Sequence, residues 1–511
     1  MRVRKYHLVI ALLLIAAVTA PYLYAWAQGG EGNVFGGFLF NPVDGNSYLA
    51  KMLQGEQGAW KFDLPYTHED GQGAYLFLFY LLLGHAGRLL GISNLAVFHA
   101  ARLLAGMVML WALGFFFQQL FADQGRRRWA FLIAALGSGL GWLGIPWGLF
   151  TMDFWVAEAY PFLSAYANPH FPLGLAVLLL ILTPGAVVHP LVKAALSLLL
   201  AVVQPFAVVV AVIVLLGEAL INTLKGAGET TKSWWQRNHV QDLFAAAAGG
   251  SPFLLYQYWV INSGELLQVW NQQNQTPSPH LWNTLLSLLP GLALAGLAVK
   301  ESWGEKKQRR LLVWAAGGLL LAYFPWSLQR RFLTGIYVPL AGLAVIGLDQ
   351  LKANLKIRKL DFNALALSLM LPTNLIILAS GIQAAAAENT QIYYPRSDRA
   401  ALQWLDDHTE PDELVLANAE LGLRIPAISG NKVLYGHPFE TVYADERKRM
   451  VEAIFSCQIS RSRFDELLET YDVDYLLVSD RDQNCDPGPL WVESGKLVFK
   501  DGSTRLYEVR R

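Results

Sequence analysis

Charge is spread so unevenly along this chain that two kinds of material must be present. Of the 80 Lys, Arg, Asp and Glu residues, 38 fall in residues 385–511, about 30% of that stretch, and 42 in residues 1–384, about 11%. Ordinary soluble proteins carry roughly 25%. A stretch as apolar as the first reads as a membrane-embedded domain over residues 1–384, and the second as a water-exposed domain over 385–511. A cytosolic enzyme, a coiled coil and a disordered chain are excluded. The formal net charge is zero, so the composition offers nothing that would attract nucleic acid.

Arg2, Arg4 and Lys5 precede an apolar run from about 8 to 26, so residue 28 onward should emerge outside the cytoplasm. Ala25-Trp26-Ala27 also resembles a signal-peptidase site, with the same consequence for residue 28. Further apolar runs lie near 74–91, 95–120, 129–150, 171–184, 191–222, 243–261, 281–299, 311–325, 332–349 and 362–383. The run 191–222 is too long for one crossing and carries Gln204-Pro205, which predicts two helices meeting at an outer turn. The basic segments at Arg126–Arg128, Lys225–Arg237, Lys300–Arg310 and Lys352–Lys359 should all be cytoplasmic. They can be if residues 74–91, with His85 and Arg88, lie along the outer surface instead of crossing. About eleven crossings then leave the C-terminal domain outside the inner (cytoplasmic) membrane.

Polar residues collect in three outer segments. The first is the loop 28–73, where Asp44 precedes Tyr48-Leu49-Ala50 and Met52-Leu53, the apolar spacing of a short helix lying on the membrane. A carboxylate there would meet the head group of a lipid-linked substrate, although Asp-Gly is also a common turn dipeptide. The second is 151–171, with Asp153, Glu158, Asn168 and His170. Carboxylate and imidazole suit a divalent metal, so Asp44, Glu158 and His170 form a candidate ligand set, with a hydrogen-bonded loop brace as the alternative. The third is the turn Ser327–Arg331. Arg330 and Arg331 break the positive-inside rule and call for an anion, either lipid head groups or a bound phosphate ester.

A single crossing, a long outer loop with an Asp near its start, and a surface helix running through Leu83-Gly84 toward Phe98-His99-Ala100-Ala101-Arg102-Leu103 resemble the GT-C polyprenol-phosphate-dependent glycosyltransferases. The protein mannosyltransferase and lipid A aminoarabinose transferase groups are the nearest in kind. The resemblance covers roughly residues 1–350. It implies Asp44 as catalytic base or part of a metal site, Glu158 as the second acidic residue with Asp153 competing for that role, and Arg330 or Arg331 as the holder of the lipid phosphate. Tyr48 and Arg102 lie in the resembling segments and join the substrate-binding candidates. One Asp stands where many mannosyltransferases have an Asp-Glu pair, which bears on metal use and acceptor class. The implied activity is transfer of a sugar from a polyprenyl-phosphate donor to an acceptor on the outer face, with inversion. The alternatives are a transporter or flippase of lipid-linked sugars, a polysaccharide polymerase or ligase, and a non-enzymatic scaffold.

Residues 389–511 read as α/β. Helices are predicted at Asp398–Asp407, Ala444–Phe455 and Arg463–Tyr471, strands at Leu414–Ala417, Val433–Tyr435 and Tyr475–Val478, and a hairpin at Leu497–Val509. Cys457 and Cys485, the chain's two cysteines, would stand on the oxidising side, where a disulfide can form; two free thiols are the alternative. His437, in Gly436-His437-Pro438-Phe439-Glu440-Thr441, follows a strand and precedes a helix. It can touch an acceptor or simply brace its loop. The domain itself reads as a lid or acceptor-recognition module.

Overall fold

The computed structural model describes residues 5–30, 32–185, 188–225, 238–355, 361–479, 482 and 495–509. The chain divides into two compact units. The first comprises Met1–Pro21, His99–Tyr256 and Thr276–Ile382, and the second Tyr22–Phe98, Gln257–Gln275 and Gln383–Arg511.

Among the described residues, five helices are long and apolar enough to cross a membrane: Lys5–Gln28, Asn94–Leu120, Gln124–Trp147, Pro205–Leu224 and Phe362–Ala386. A sixth span results if Leu281–Leu288 and Gly291–Gly304, bent by 74°, count as one broken crossing. This is fewer than the eleven expected, because several apolar runs fold into shorter helices. His170–Ile181 has 12 residues and Pro190–Val203 has 14, so each reaches only about 20 Å, against roughly 30 Å of hydrocarbon. The 191–222 run does divide at Gln204-Pro205, because Pro205 can start a helix but cannot continue one.

In the first unit the basic segments gather at one end of the helices. Arg126 Nη1 lies 2.6 Å from Glu301 Oε1, and its Nε 2.7 Å from Asp349 Oδ2. Lys307 Nζ donates to the Gln119 carbonyl, and Arg309 Nη1 to Asn222 Oδ1. Deeper at the same end, Arg310 pairs with Glu218 and Lys193 with Asp242. The helix Arg309–Ala322 leads away from this end, and Pro205–Lys225 runs toward it. They close at the other, where Gln204 Nε2 donates to Thr334 Oγ1. Residues 126, 300–310 and 349–352 thus share one end, as the charge rule requires, and residues 226–237 and 356–360 lie outside the described residues.

Among its described residues the second unit has seven strands: β1 (Asn33–Phe35), β2 (Tyr393–Pro395), β3 (Leu414–Leu416), β4 (Lys432–Val433), β5 (Tyr475–Val478), β6 (Gly495–Asp501) and β7 (Thr504–Val509). β1 pairs antiparallel with β2. The others form one sheet in the order β4-β3-β5-β7-β6, with β3 parallel to β4 and β5, and β7 antiparallel to β5 and β6. β3 and β5 are buried along their whole length, as parallel strands covered on both faces must be. The helices Arg396–His408, Ala444–Phe455 and Arg461–Thr470 occupy the predicted positions within a few residues. A fourth, Ala419–Ile428, was not expected. Asn418 caps it, accepting from Leu421 N, although Pro426 lies inside it. Cys457 is disulfide-bonded; Cys485 lies outside the described residues.

The helix Leu78–Leu90 lies close against Pro42–Glu56 through two glycines. A Cβ at Gly84 would stand 1.8 Å from the Met52 carbonyl oxygen, and one at Gly55 2.1 Å from that of Leu81. Only residues without a side chain permit this approach, so Gly84→Ala should cost about 1–3 kcal/mol by forcing the helices apart. Gly296→Ala, with open space around the position, serves as control. Thermal unfolding in detergent should show a lowered Tm for the first alone; an unchanged Tm for Gly84→Ala would mean that the close approach contributes nothing.

Candidate active site

The site grows from the start of the Pro42–Glu56 helix. Asn41 caps it in a left-handed conformation (φ 46°), and Pro42 supplies the first helical residue. Asn41 Nδ2 donates to Asp44 Oδ2 at 2.5 Å, and Asp44 N donates to Asn41 Oδ1 at 3.4 Å. Asp44 therefore lies in the first turn, not ahead of the helix, because Asn41 and Pro42 start the helix before the apolar spacing at Tyr48 begins. The helix N-terminus favours its negative charge.

On the following turns the sequence reading missed the strongest feature. Lys51 is fully buried, with its Nζ 2.6 Å from both Ser47 Oγ and Glu440 Oε1. The ammonium also faces the rings of Tyr48, Phe62 and Phe77, at 5.5, 5.3 and 4.4 Å. Ser47 Oγ donates to the same Glu440 oxygen. Burial works to raise Glu440, yet Lys51, His437 and the two hydrogen bonds hold it below the usual carboxylate range. Burial lowers the Lys51 ammonium, and Glu440 opposes that shift. The pair is charged, since Glu440 has a cation and two donors to stabilise its ionised form. Asp44, Ser47 and Lys51 are three, four and seven residues apart, the spacing of one helix face, and this was the available signal.

His437 faces the same helix from the turn after β4. Its Nδ1 accepts from Phe439 N and Glu440 N at 3.1 and 3.2 Å. Its Nε2 stands 3.9 Å from Asp44 Oδ1 and, among the described residues, has no hydrogen-bond partner. Burial pushes the imidazole pKa down, so the ring is neutral. The turn is held internally by Thr441 Oγ1, which accepts from Gly436 N and His437 N. Gln273 and Asn274 brace it by donating to the carbonyls of Thr441 and Phe439. Gly436 is needed here: a Cβ would lie 2.2 Å from the Gly422 carbonyl oxygen. Tyr48 stacks on Tyr80, with centroids 4.2 Å apart.

The other candidates belong to the first unit. Glu158 is 4% exposed, with Oε1 3.7 Å from Arg330 Nε and 3.8 Å from Arg331 Nη1. The guanidinium groups lie over Trp155 and Phe206, respectively. The two arginines thus already have an anion nearby, at distances longer than hydrogen bonds. Asp153 accepts from Thr151, Gly141 N and Thr373, and this makes it a loop brace. Arg102, a substrate-binding candidate, is instead buried and donates to the carbonyls of Ala165 and Tyr166 and to His99 Nδ1. A guanidinium satisfied in this way is a helix brace. His170 is buried at the start of its helix with its ring against Phe171. Asp44 belongs to one unit and Glu158 and His170 to the other. Among the described residues no three His, Cys, Asp or Glu side chains are grouped to hold a metal.

No family model and no curated protein matches the sequence. Solved structures do match. The Archaeoglobus fulgidus oligosaccharyltransferase tethered with an acceptor peptide aligns with a TM-score of 0.55 and 14% identity, over 93% of this chain and 69% of the other. Its complex, as AglB, with an inhibitory peptide and a dolichol-phosphate gives 0.55 and 13% over the same shares. ArnT from Cupriavidus metallidurans bound to undecaprenyl phosphate gives 0.53 and 11% over 97% of each chain. The chain is a multi-pass membrane protein. Its fold is that of the GT-C glycosyltransferases.

Removing Lys51 tests the buried pair. Lys51→Met should cost about 3–5 kcal/mol, because Glu440 stays buried without its cation. Adding Glu440→Gln should recover part of that loss, and a double-mutant cycle by thermal unfolding measures it; additive losses would show that the pair is not coupled. The outer loop offers a second measurement. Glu69 is bonded by Thr67 and Arg447 and pairs with His68. Burial would raise its pKa, but the hydrogen bonds from His68 and Thr67 outweigh this and lower it from 4.5 to about 2. A depressed carboxylate contributes stability above its ordinary pKa and loses it as pH falls through the folded value. The wild type should therefore lose stability relative to Glu69→Gln as pH drops from 4.5 toward 2; parallel stability curves would exclude the contribution.

Proposed function

We propose that the protein is a glycosyltransferase that moves a sugar from a polyprenyl-phosphate donor to an acceptor hydroxyl on the outer face of the membrane, with inversion. The carrying observation is Asp44: a carboxylate in the first turn of a helix, one-third exposed, beside a neutral histidine and a buried ion pair. The fold supports the class. The neighbours' bound undecaprenyl phosphate and dolichol-phosphate support the donor type.

Asp44 is the base. The acceptor O–H gives its proton to the Asp44 carboxylate as its oxygen bonds to the anomeric carbon. The bond from that carbon to the phosphate oxygen breaks, and polyprenyl phosphate leaves with the electron pair. Attack opposite the leaving group inverts the centre, through a transition state like an oxocarbenium ion. Arg330 and Arg331 neutralise the charge that develops on the departing phosphate, with Glu158 holding their side chains until the phosphate arrives. The end of the first unit that carries the basic segments faces the cytoplasm, and residues 385–511 face outward. No step is assigned to a metal, although the archaeal enzyme has been solved with Zn and sulfate.

A transporter of lipid-linked sugars is the competing reading. Transporters place ionisable groups near the bilayer midplane. The buried pairs Lys193–Asp242 and Arg310–Glu218 lie instead toward the end where Arg309 and Lys307 gather. That placement favours the transferase.

The test is transfer of label from radiolabelled polyprenyl-phosphate sugars to crude membrane acceptors. Asp44→Asn should lower turnover about 10²–10⁴-fold. Arg330→Ala and Arg331→Ala should each weaken donor use about tenfold or more, the loss of a charge-assisted hydrogen bond. Equal transfer by wild type and Asp44→Asn would remove Asp44 from the mechanism, and translocation without transfer would establish the transporter.

A further inference from the structure

The hydrogen-bonding pattern beside Asp44 specifies an acceptor. Two buried polar atoms of the second unit, on residues three apart in one turn, lack hydrogen-bond partners among the described residues, and Asp44 lies beside one of them. His437 Nδ1 already accepts two backbone N–H groups, so it carries no proton, and the neutral ring's single proton is on Nε2. That donor is buried, lacks a partner among the described residues, and has Asp44 Oδ1 3.9 Å away. The separation is too long for a direct bond. It is short enough for one oxygen atom to sit within about 2.8 Å of both. The second of the two atoms is Glu440 Oε2, while Oε1 is bonded to Lys51 and Ser47. Leaving a buried carboxylate oxygen and a buried N–H unsatisfied costs the desolvation of each group with nothing in return. A ligand that satisfies both would recover that cost on binding.

We infer that His437 Nε2 and Glu440 Oε2, with Asp44, form the acceptor subsite, and that the acceptor is a neutral polyhydroxyl compound, a glycan. This rests on the glycosyltransferase reading and narrows its substrate. The atom between Asp44 and His437 must donate to a carboxylate and accept from an imidazole N–H. A hydroxyl does both, whereas a protonated amine has only donors. Glu440 Oε2 then requires a second donor, which a neighbouring hydroxyl of the same molecule supplies. The same pattern excludes the other common acceptors. An ionised phosphate or carboxylate brings only acceptor oxygens, so it has no donor to give Glu440 Oε2, and that carboxylate repels it. In the reaction the first hydroxyl transfers its proton to Asp44, while His437 holds its oxygen in place. Lys51 does not touch the acceptor; it is a positioning residue that neutralises Glu440 and fixes the turn carrying His437.

Full-length protein labelled with ¹⁵N-histidine, in detergent at pH 7, provides the direct test, with His437→Gln assigning the signal. The ring should show the Nε2–H tautomer. Neutral methyl glycosides at millimolar concentration should shift it, while ethanolamine and inorganic phosphate should leave it unmoved. An Nδ1–H tautomer, or a shift with phosphate or ethanolamine and none with glycosides, would overturn the assignment. In the transfer assay His437→Ala should raise the KM for acceptor about tenfold, the loss of one net hydrogen bond, with the KM for donor unchanged. His437→Gln, which keeps an N–H donor, should restore much of it. Wild-type acceptor KM in His437→Ala would also overturn the proposal. If glycosides shift the ring yet no polyprenyl donor yields transfer, the glycosyltransferase reading fails and the hydroxyl site stands.

Discussion

One buried ion pair joins two sequence segments that are far apart. Lys51 and Glu440 meet at 2.6 Å although 389 residues separate them. Neither could be buried alone: an isolated charge in an apolar surrounding costs far more than a fold can supply, so each requires the other. The aromatic faces around Lys51 exclude water, and Ser47 provides a further polar contact. This requirement fixes the register between the Pro42–Glu56 helix and the turn after β4, and with it the separation of Asp44 and His437. The pair need not add much net stability to matter. Its geometry allows one relative placement of helix and turn, and a well-packed apolar pair would allow several.

Steric constraints act in the same direction. Gly55 and Gly84 let two helices approach until backbone meets backbone, and Gly436 does so for the turn against Gly422. These contacts place the carboxyl end of β4 beside Asp44. In α/β sheets, ligands bind outside the carboxyl ends of parallel strands, because loops leave the sheet there and backbone groups are not taken up in pairing. His437 follows β4, a strand of only two residues, so the proposed subsite stands where this rule would put it. A stretch of Pro, Gly and His that seems irregular in the sequence is, in the structure, a turn braced by Thr441, Gln273 and Asn274. Among the described residues, His437 Nε2 and Glu440 Oε2 are its buried side-chain atoms without a partner, and for that reason they point to function.

Much of this was legible in advance, for identifiable reasons. Asp44 stood out because a carboxylate followed by apolar helical spacing is uncommon, and Arg330 and Arg331 because they defy the charge rule. The break at Gln204-Pro205 followed from proline's missing N–H. The strands Leu414–Leu416 and Tyr475–Val478 followed from short runs of branched residues bounded by turns. Other features were hidden. Lys51 drew no notice, because its partner lies hundreds of residues away and no local pattern reports such pairing. Arg102 entered as a substrate-binding candidate, and its bonds to the carbonyls of Ala165 and Tyr166 could not be foreseen, because sequence does not show where those carbonyls point. Hydropathy yields more apolar runs than there are helices of spanning length among the described residues, because it measures composition. It does not reveal where a helix stops, and an apolar run that breaks after 12 or 14 residues looks the same as one that continues.

Identities of 11–14% with the structural neighbours establish a common backbone arrangement and leave the chemistry to be argued from side chains. A fold of this kind can present a carboxylate to many acceptors. What distinguishes one acceptor from another is the set of donors and acceptors around that carboxylate, and here it is asymmetric. His437 donates, Asp44 and Glu440 accept, and Lys51 has its charge balanced by Glu440. An amine would leave the His437 N–H unsatisfied, and a phosphate would add a negative charge beside Asp44. Each substitution replaces a satisfied buried group by an unsatisfied or repelled one, and discrimination of that type is far stronger than the fit of an apolar pocket to one methylene more or less. Specificity for a hydroxyl therefore requires no further recognition element. It follows from the tautomer that two backbone N–H groups impose on His437.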